Sequence, residues 1–254
     1  MNNSVNISNL SLIMALALVI IAMLISAHQK LGLSKDIVFA VLRTVIQLVI
    51  VGFVLKYIFQ VDNVLLTLVM GLFIIFNASL QANKRNPSSR KYFWQSFTAI
   101  FISTVVTLGI LTMSDAIKFV PSQIIPITGM IASNSMIAIG LCYKQMHTQF
   151  VDQRQQVLEK LALGAPAKQA SLSILRQSIK MALQPTIDSA KTVGLVSLPG
   201  MMSGLIFAGV DPVYAIKYQI MVMFMLLSAT SLGSVIAGTF SYRNYFSERI
   251  ILEV

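Results

Sequence analysis

Apolar residues run along this chain in seven long blocks, at 10–27, 37–59, 64–80, 94–113, 124–143, 192–208 and 213–240. Short polar breaks separate them, and one long polar stretch, 147–191, stands between the fifth and the sixth. A membrane-spanning helix needs about 20 consecutive apolar residues. Each block therefore reads as one span. The pattern predicts an all-α, polytopic membrane protein with about seven transmembrane helices, forming a single transmembrane domain over residues 1–254.

The polar stretch has a pattern of its own. Val157, Leu158 and Leu161 share one helical face, and Arg154, Glu159 and Lys160 lie elsewhere on the wheel, which marks a short amphipathic helix. Gly164 stands where a helix C-terminus calls for a left-handed residue. Pro166 fits the first position of a new helix, where its missing N–H costs nothing. That second helix, at about 167–183, carries Lys168, Arg176 and Lys180 on one side and Leu172, Leu175, Ile179 and Leu183 on another. Pro185 is expected to break or kink it, leaving 185–191 as a hinge back to the next span. Asp188 sits three residues before Lys191, so the two can pair on one helix face. A plain ion pair near the interface and a part in gating both fit them.

Composition agrees with the pattern and adds an orientation. The chain is 56% apolar and 11% charged, against about 25% charged in soluble domains. Its net charge is +10, and the basic residues collect in alternate loops. Lys30 and Lys35 follow the first span, and Lys84, Arg85, Arg90 and Lys91 follow the third. Lys144, Arg154, Lys160, Lys168, Arg176, Lys180 and Lys191 follow the fifth, and Arg243 and Arg249 follow the seventh. The other loops hold only Lys56, Lys118 and Lys217, each near an acid (Asp62, Asp115, Asp211). Positive residues stay inside, which places the N-terminus outside, the C-terminus in the cytoplasm and 147–191 as a cytoplasmic hairpin. The start of the chain has no basic residues ahead of its first apolar block, so that block is expected to remain as a span. The basic clusters lack interleaved aromatics, which excludes nucleic acid as a partner. Membrane lipid is the implied contact, and an interfacial hairpin resting on acidic lipid is one reading of 147–191.

Most chemistry is excluded by what the sequence omits. It contains no G-x-x-x-x-G-K-[ST] phosphate loop, no H-E-x-x-H, no serine–histidine–acid arrangement and no paired carboxylates within a span. Cys142 is the single cysteine, and His28 and His147 are far apart. An enzyme is not expected, nor a bound cofactor, and the residues assign no metal ligands.

The polar residues inside spans are the candidates for a pathway. Asn134, flanked by Ser133 and Ser135, is the best cluster, because such residues face a bundle interior. Met201 and Met202 join it. Met130, Met136, Met221, Met223 and Met225 lie in or near the same spans, although methionine is also an ordinary apolar filler and its thioether suits soft metals. Gly200, Gly204 and Ala208 form a small-residue face for close helix packing, within one chain or between two. Pro199 is expected to interrupt a backbone hydrogen bond in mid-span, as a static kink or as a bend beside a cavity. Arg43 and Gln47 lie one turn apart in the second span. Arg43 is near enough to the cytoplasmic end to snorkel there.

The run LEKLALGAP, followed by ALQP, resembles the coupling loop of ABC-transporter permeases, a pattern of E-A-A-x-x-x-G with a later L-P. Gly164 matches the glycine, and Leu183 and Pro185 stand near the late pair. The acid stands one place late, at Glu159, and Gln184 intervenes between Leu183 and Pro185. The segments DSAKTVGLVSLPGMMSGLIFAGVDP, RTVIQLVIVGFVLKYIF and PITGMIASNSMIAIGLCY are similar to the FetB family of ABC-transporter permeases, over nearly the whole chain. The resemblance implies a homodimeric, multi-pass permease of the bacterial inner membrane that exports iron and aids resistance to oxidative stress. It implies a separate cytoplasmic subunit that binds the ATP and docks at Glu159, Leu163, Gly164, Ala165 and Pro166. Plant members are linked to aluminium tolerance. A secondary, ion-coupled transporter is the alternative, with no acid relay to serve it. A membrane enzyme or assembly factor is a third reading, with no catalytic constellation behind it.

Overall fold

The computed structural model describes residues 9–85 and 93–246. Arg90, Lys91 and Arg249, three of the basic residues used for orientation, lie outside the described residues, as do the first eight positions. The helices are α1 (Asn9–His28), α2 (Ser34–Val61), α3 (Val64–Lys84), α4 (Phe93–Met113), α5 (Pro121–Asp152), α6 (Arg154–Ala162), α7 (Ala167–Thr192), α8 (Gly200–Phe207) and α9 (Pro212–Ser241). A short 3-10 helix, Tyr242–Tyr245, follows α9.

Six of these are long and apolar enough to cross a membrane: α1 to α5, and α9 with its 3-10 extension. Capping begins two of them. The Asn63 side chain accepts from the Leu65 backbone N–H at 2.8 Å at the start of α3, and Asp211 accepts from the Val213 N–H at 2.8 Å ahead of α9. Both satisfy backbone donors that no helical carbonyl can reach.

α5 is the centre of the bundle. It packs on α3, α4, α7 and α9 and buries Ile131, Ile139, Tyr143, Met146 and Phe150 completely. Along α9, Ala229, Gly233 and Ala237 recur every four residues, so one face of that helix is small. A Cβ on Gly233 would meet Ile139 Cδ1 at 3.4 Å, so the two backbones approach closely there. At the α6 end, Tyr143, Phe150, Val157, Ile174 and Tyr245 form one core cluster. The Phe150 and Tyr245 rings stack with centroids 4.2 Å apart. α1 and α2 stand apart from this core: they pack on each other, and α2 touches α5. Among the described residues, Ser26 and Ile58 are the only buried ones of these two helices.

Three expectations change. The block 192–208 is not one spanning helix, because within it only Thr192, the end of α7, and Gly200–Phe207 are helical. Eight residues rise about 12 Å, too little to cross. Gly194, with φ +86°, and a turn in which its N–H donates to the Ser197 carbonyl at 2.9 Å unwind 193–199. Pro199 therefore caps the start of α8 instead of bending a helix from within. Second, Pro185 does not end its helix, since α7 runs through it to Thr192. The segment 185–191 is helix, and the break falls eight residues after Pro185, at Val193. Third, α5 continues to Asp152, so His147 belongs to a long helix and not to the hairpin.

Candidate functional site

Four segments line a half-open cavity of about 490 Å³. α5 contributes Met130, Asn134, Ala138 and Leu141, and α7 contributes Ala182, Pro185, Thr186 and Ser189. The unwound segment and α8 contribute Val193, Ser197, Pro199 and Met201, and α9 contributes Gln219, Val222, Met223 and Leu226. Each helical set repeats at three- and four-residue spacing, so each helix turns one face inward. The two backbone irregularities, Pro185 and the 193–199 break, both border this space. Non-helical backbone at membrane depth is tolerated where it lines such a cavity. Pro185 lacks the N–H that would have paired with the Met181 carbonyl, and the cavity lies beside it.

Asn134 donates its Nδ2 to the Met130 carbonyl at 2.8 Å, which leaves Oδ1 as its available end. Gln219 is 6% exposed, and its Oε1 has no hydrogen-bond partner among the described residues. A buried polar atom without a partner is costly, so the place for one is open in the cavity. Met201 lines the same space. Met202 is nearly buried and borders an adjoining apolar groove with Leu198 and Phe224, which Gln219 and Met223 share. The three consecutive residues at 133–135 separate. Asn134 faces the cavity, Ser135 is buried and donates to the Ala229 carbonyl at 3.3 Å, and Ser133 is exposed and donates to the Met130 carbonyl at 3.2 Å. Ser135 is thus helix–helix glue between α5 and α9. Among the described residues no group of three or more histidine, cysteine or acidic side chains could hold a metal ion.

Gln219 escaped the sequence reading. Its signal was a single amide in the apolar run YQIMVMFML, and a lone polar residue in a span faces protein or a cavity. The small face of α9 was also legible in the repeat Ala229, Gly233, Ala237.

Among the described residues, a Cβ on Gly200 or Gly204 meets nothing within 4 Å, and Ala208 is exposed as well. The close packing found inside the chain belongs to α9 instead.

The turn between α6 and α7 lies at the far end of α7 from the cavity. The Gly164 N–H donates to the Leu161 carbonyl at 2.9 Å and the Ala165 N–H to the Lys160 carbonyl at 3.0 Å. This paired pattern closes a helix with a left-handed residue, and Gly164 has φ +87°. Pro166 stands one place before the helix with extended backbone. Leu163 projects from the turn and is 88% exposed. Glu159 is exposed and accepts from Gln155 Nε2 at 3.0 Å. The turn is held from below by Val157, Ala170 and Ile174, all in the main core, so the hairpin is part of the bundle and not a surface float. Asp188 and Lys191 form a 3.5 Å ion pair, both largely exposed, and Gln184 donates to Asp188 at 2.9 Å.

The model of the uncharacterised protein family UPF0014 matches residues 9–246. The chain belongs to the UPF0014 family. The match takes in both the cavity and the turn. The probable iron export permease protein FetB of Escherichia coli is 58% identical over 247 residues, covering 97% of this chain and 95% of that protein. The UPF0014 membrane protein YjkA of Bacillus subtilis is 35% identical, covering 94% of this chain and 95% of that protein. The Arabidopsis thaliana protein ALUMINUM SENSITIVE 3 is 33% identical, covering 94% and 88%. No solved structure matches. With its six long apolar helices, this UPF0014 chain is a multi-pass protein of the inner membrane.

Proposed function

We propose that this chain is the membrane permease subunit of an ABC transporter that exports iron and thereby aids resistance to oxidative stress. A separate cytoplasmic subunit binds the ATP, and two copies of the chain form the permease. The name of the Escherichia coli relative supplies iron and export. The absence of a phosphate loop supplies the need for a motor in trans.

One observation carries the reading. α7 is a continuous helix of 26 residues, about 39 Å long, with the exposed Leu163 turn at one end and the cavity wall at the other. A push on the turn is carried along α7, through Pro185, to Thr186 and Ser189 at the cavity wall. The far part of α7, the 193–199 break and α8 together form one interrupted crossing. In this reading the chain crosses seven times, with its N-terminus outside and its C-terminus and the turn in the cytoplasm, an arrangement that the distribution of basic residues supports. The bare face of Gly200, Gly204 and Ala208 is available to the second copy.

The test is metal uptake into inverted vesicles holding this chain and its ATPase, compared across iron, aluminium, copper and zinc. ATP-dependent accumulation of iron is expected. Uptake driven by an ion gradient without any ATPase overturns the reading in favour of a secondary transporter.

A further inference from the structure

We propose that the cavity takes its metal cargo as a hydrated cation, held through the water shell by the carbonyl oxygens of Gln219 and Asn134 and not by direct coordination to protein. This rests on the reading of the chain as a metal permease and names the form in which the metal is bound.

The size of the cavity is the first ground. A water occupies about 30 Å³ of liquid, so 490 Å³ holds roughly sixteen. That is room for an ion with its whole first shell and too much for a bare ion to touch ligands on every side.

Charge is the second ground. No ionisable side chain is among the lining residues, and a naked dication surrounded by neutral groups at low dielectric has lost its hydration without compensation. A dication that keeps its waters avoids that loss.

The third ground is the sign of the polar lining. The waters of a hydrated cation point their hydrogens outward, so their neighbours must be acceptors. Gln219 Oε1 is buried and unpartnered. The Asn134 amide is oriented by its Nδ2 bond to Met130, which turns Oδ1 free. Pro185 and Pro199 each remove a backbone donor from the lining. α7 ends at Thr192 beside the cavity, presenting the carbonyl end of its dipole. The thioethers of Met130, Met201 and Met223 suit a soft, stripped ion such as Cu(I), and in this arrangement they serve as wall.

The experiment uses the full chain in phosphatidylcholine nanodiscs, without ATP or ATPase, loaded anaerobically with iron(II). Retained iron is measured by equilibrium dialysis, and its first shell by iron K-edge X-ray absorption. The wild type is expected to retain iron with an oxygen-only shell. Gln219→Leu is expected to lower retention at least tenfold with an unchanged melting temperature, and Gln219→Asn to keep part of it. Combined Met130→Leu, Met201→Leu and Met223→Leu is expected to retain iron as the wild type does. Sulfur in the first shell, loss of binding in the methionine variant, or full retention by Gln219→Leu each overturns the proposal. Because no ATPase is present, failure of the ATP-driven vesicle assay leaves this result untouched, and the reverse also holds.

Discussion

Gly238 of α9 lies directly under Leu175 of α7: a Cβ at 238 would stand 3.0 Å from Leu175 Cδ1 and 3.4 Å from Cys142 Sγ. Three helices, α5, α7 and α9, meet at this one hydrogen atom. Gly238→Ala is expected to be tolerated with a small shift of Leu175. Gly238→Leu overpacks the junction and is expected to cost about 1–3 kcal/mol, read as a lower melting temperature in detergent.

Gly164 calls for a different argument, since a side chain there meets nothing within 4 Å. The cost lies in the backbone, where a left-handed residue other than glycine loses about 1–2 kcal/mol. Gly164→Val should therefore insert and fold, with a slightly lower melting temperature, and lose ATP-driven transport because the turn changes shape. A charged or bulky residue at Ala165 should do the same. Normal transport by both variants would remove the docking assignment.

Leu163→Asp separates docking from folding more cleanly. The side chain is 88% exposed, so its replacement should change stability by less than about 0.5 kcal/mol. Co-purification with the ATPase should fall sharply. Unaltered co-purification and transport would show that the partner sits elsewhere.

Asp188→Ala tests whether the pair with Lys191 is more than a helix-surface contact. Exposed pairs contribute about 0–1 kcal/mol, and both partners here are more than half exposed. No measurable loss of stability is expected in a denaturation series. Loss of transport from the stable variant would assign Asp188 to gating.

Tyr143→Phe removes a buried hydrogen bond between the Tyr143 hydroxyl and Ser96 Oγ, 3.0 Å apart, that ties α5 to α4. A cost of about 1 kcal/mol is expected, measured as unfolding of the purified chain.

Much of the architecture was legible because hydropathy reads length well, and six of the seven apolar blocks appear as long helices. The sixth, 192–208, was misread for a physical reason. Residues 193–199 are as apolar as a spanning helix, and a hydropathy pattern cannot see that Gly194 adopts φ +86° and turns the chain. Pro185 misled in the opposite direction. A proline inside a soluble helix is a strong breaker, yet here Pro185 borders a cavity and α7 continues. Gly164 was legible because one residue type meets a left-handed requirement. Asn134 was singled out in the sequence and Gln219 was not, although both line the cavity: the first stands in a visible polar triplet, the second alone in an apolar run. Their approach to one cavity is a long-range fact that local pattern does not contain.

The apolar block of α2, 37–59, is about 35 Å long as a helix, against a hydrocarbon core of about 30 Å. Only Ile58 of α2 is buried, and its contacts are with α1 and α5, so the bundle constrains its angle less than those of the core helices. A span longer than the bilayer tilts to fit. The first two helices are therefore expected to lean with membrane thickness while α3 to α9 keep their packing, which makes lipid chain length a variable that acts on one part of the molecule more than on the other.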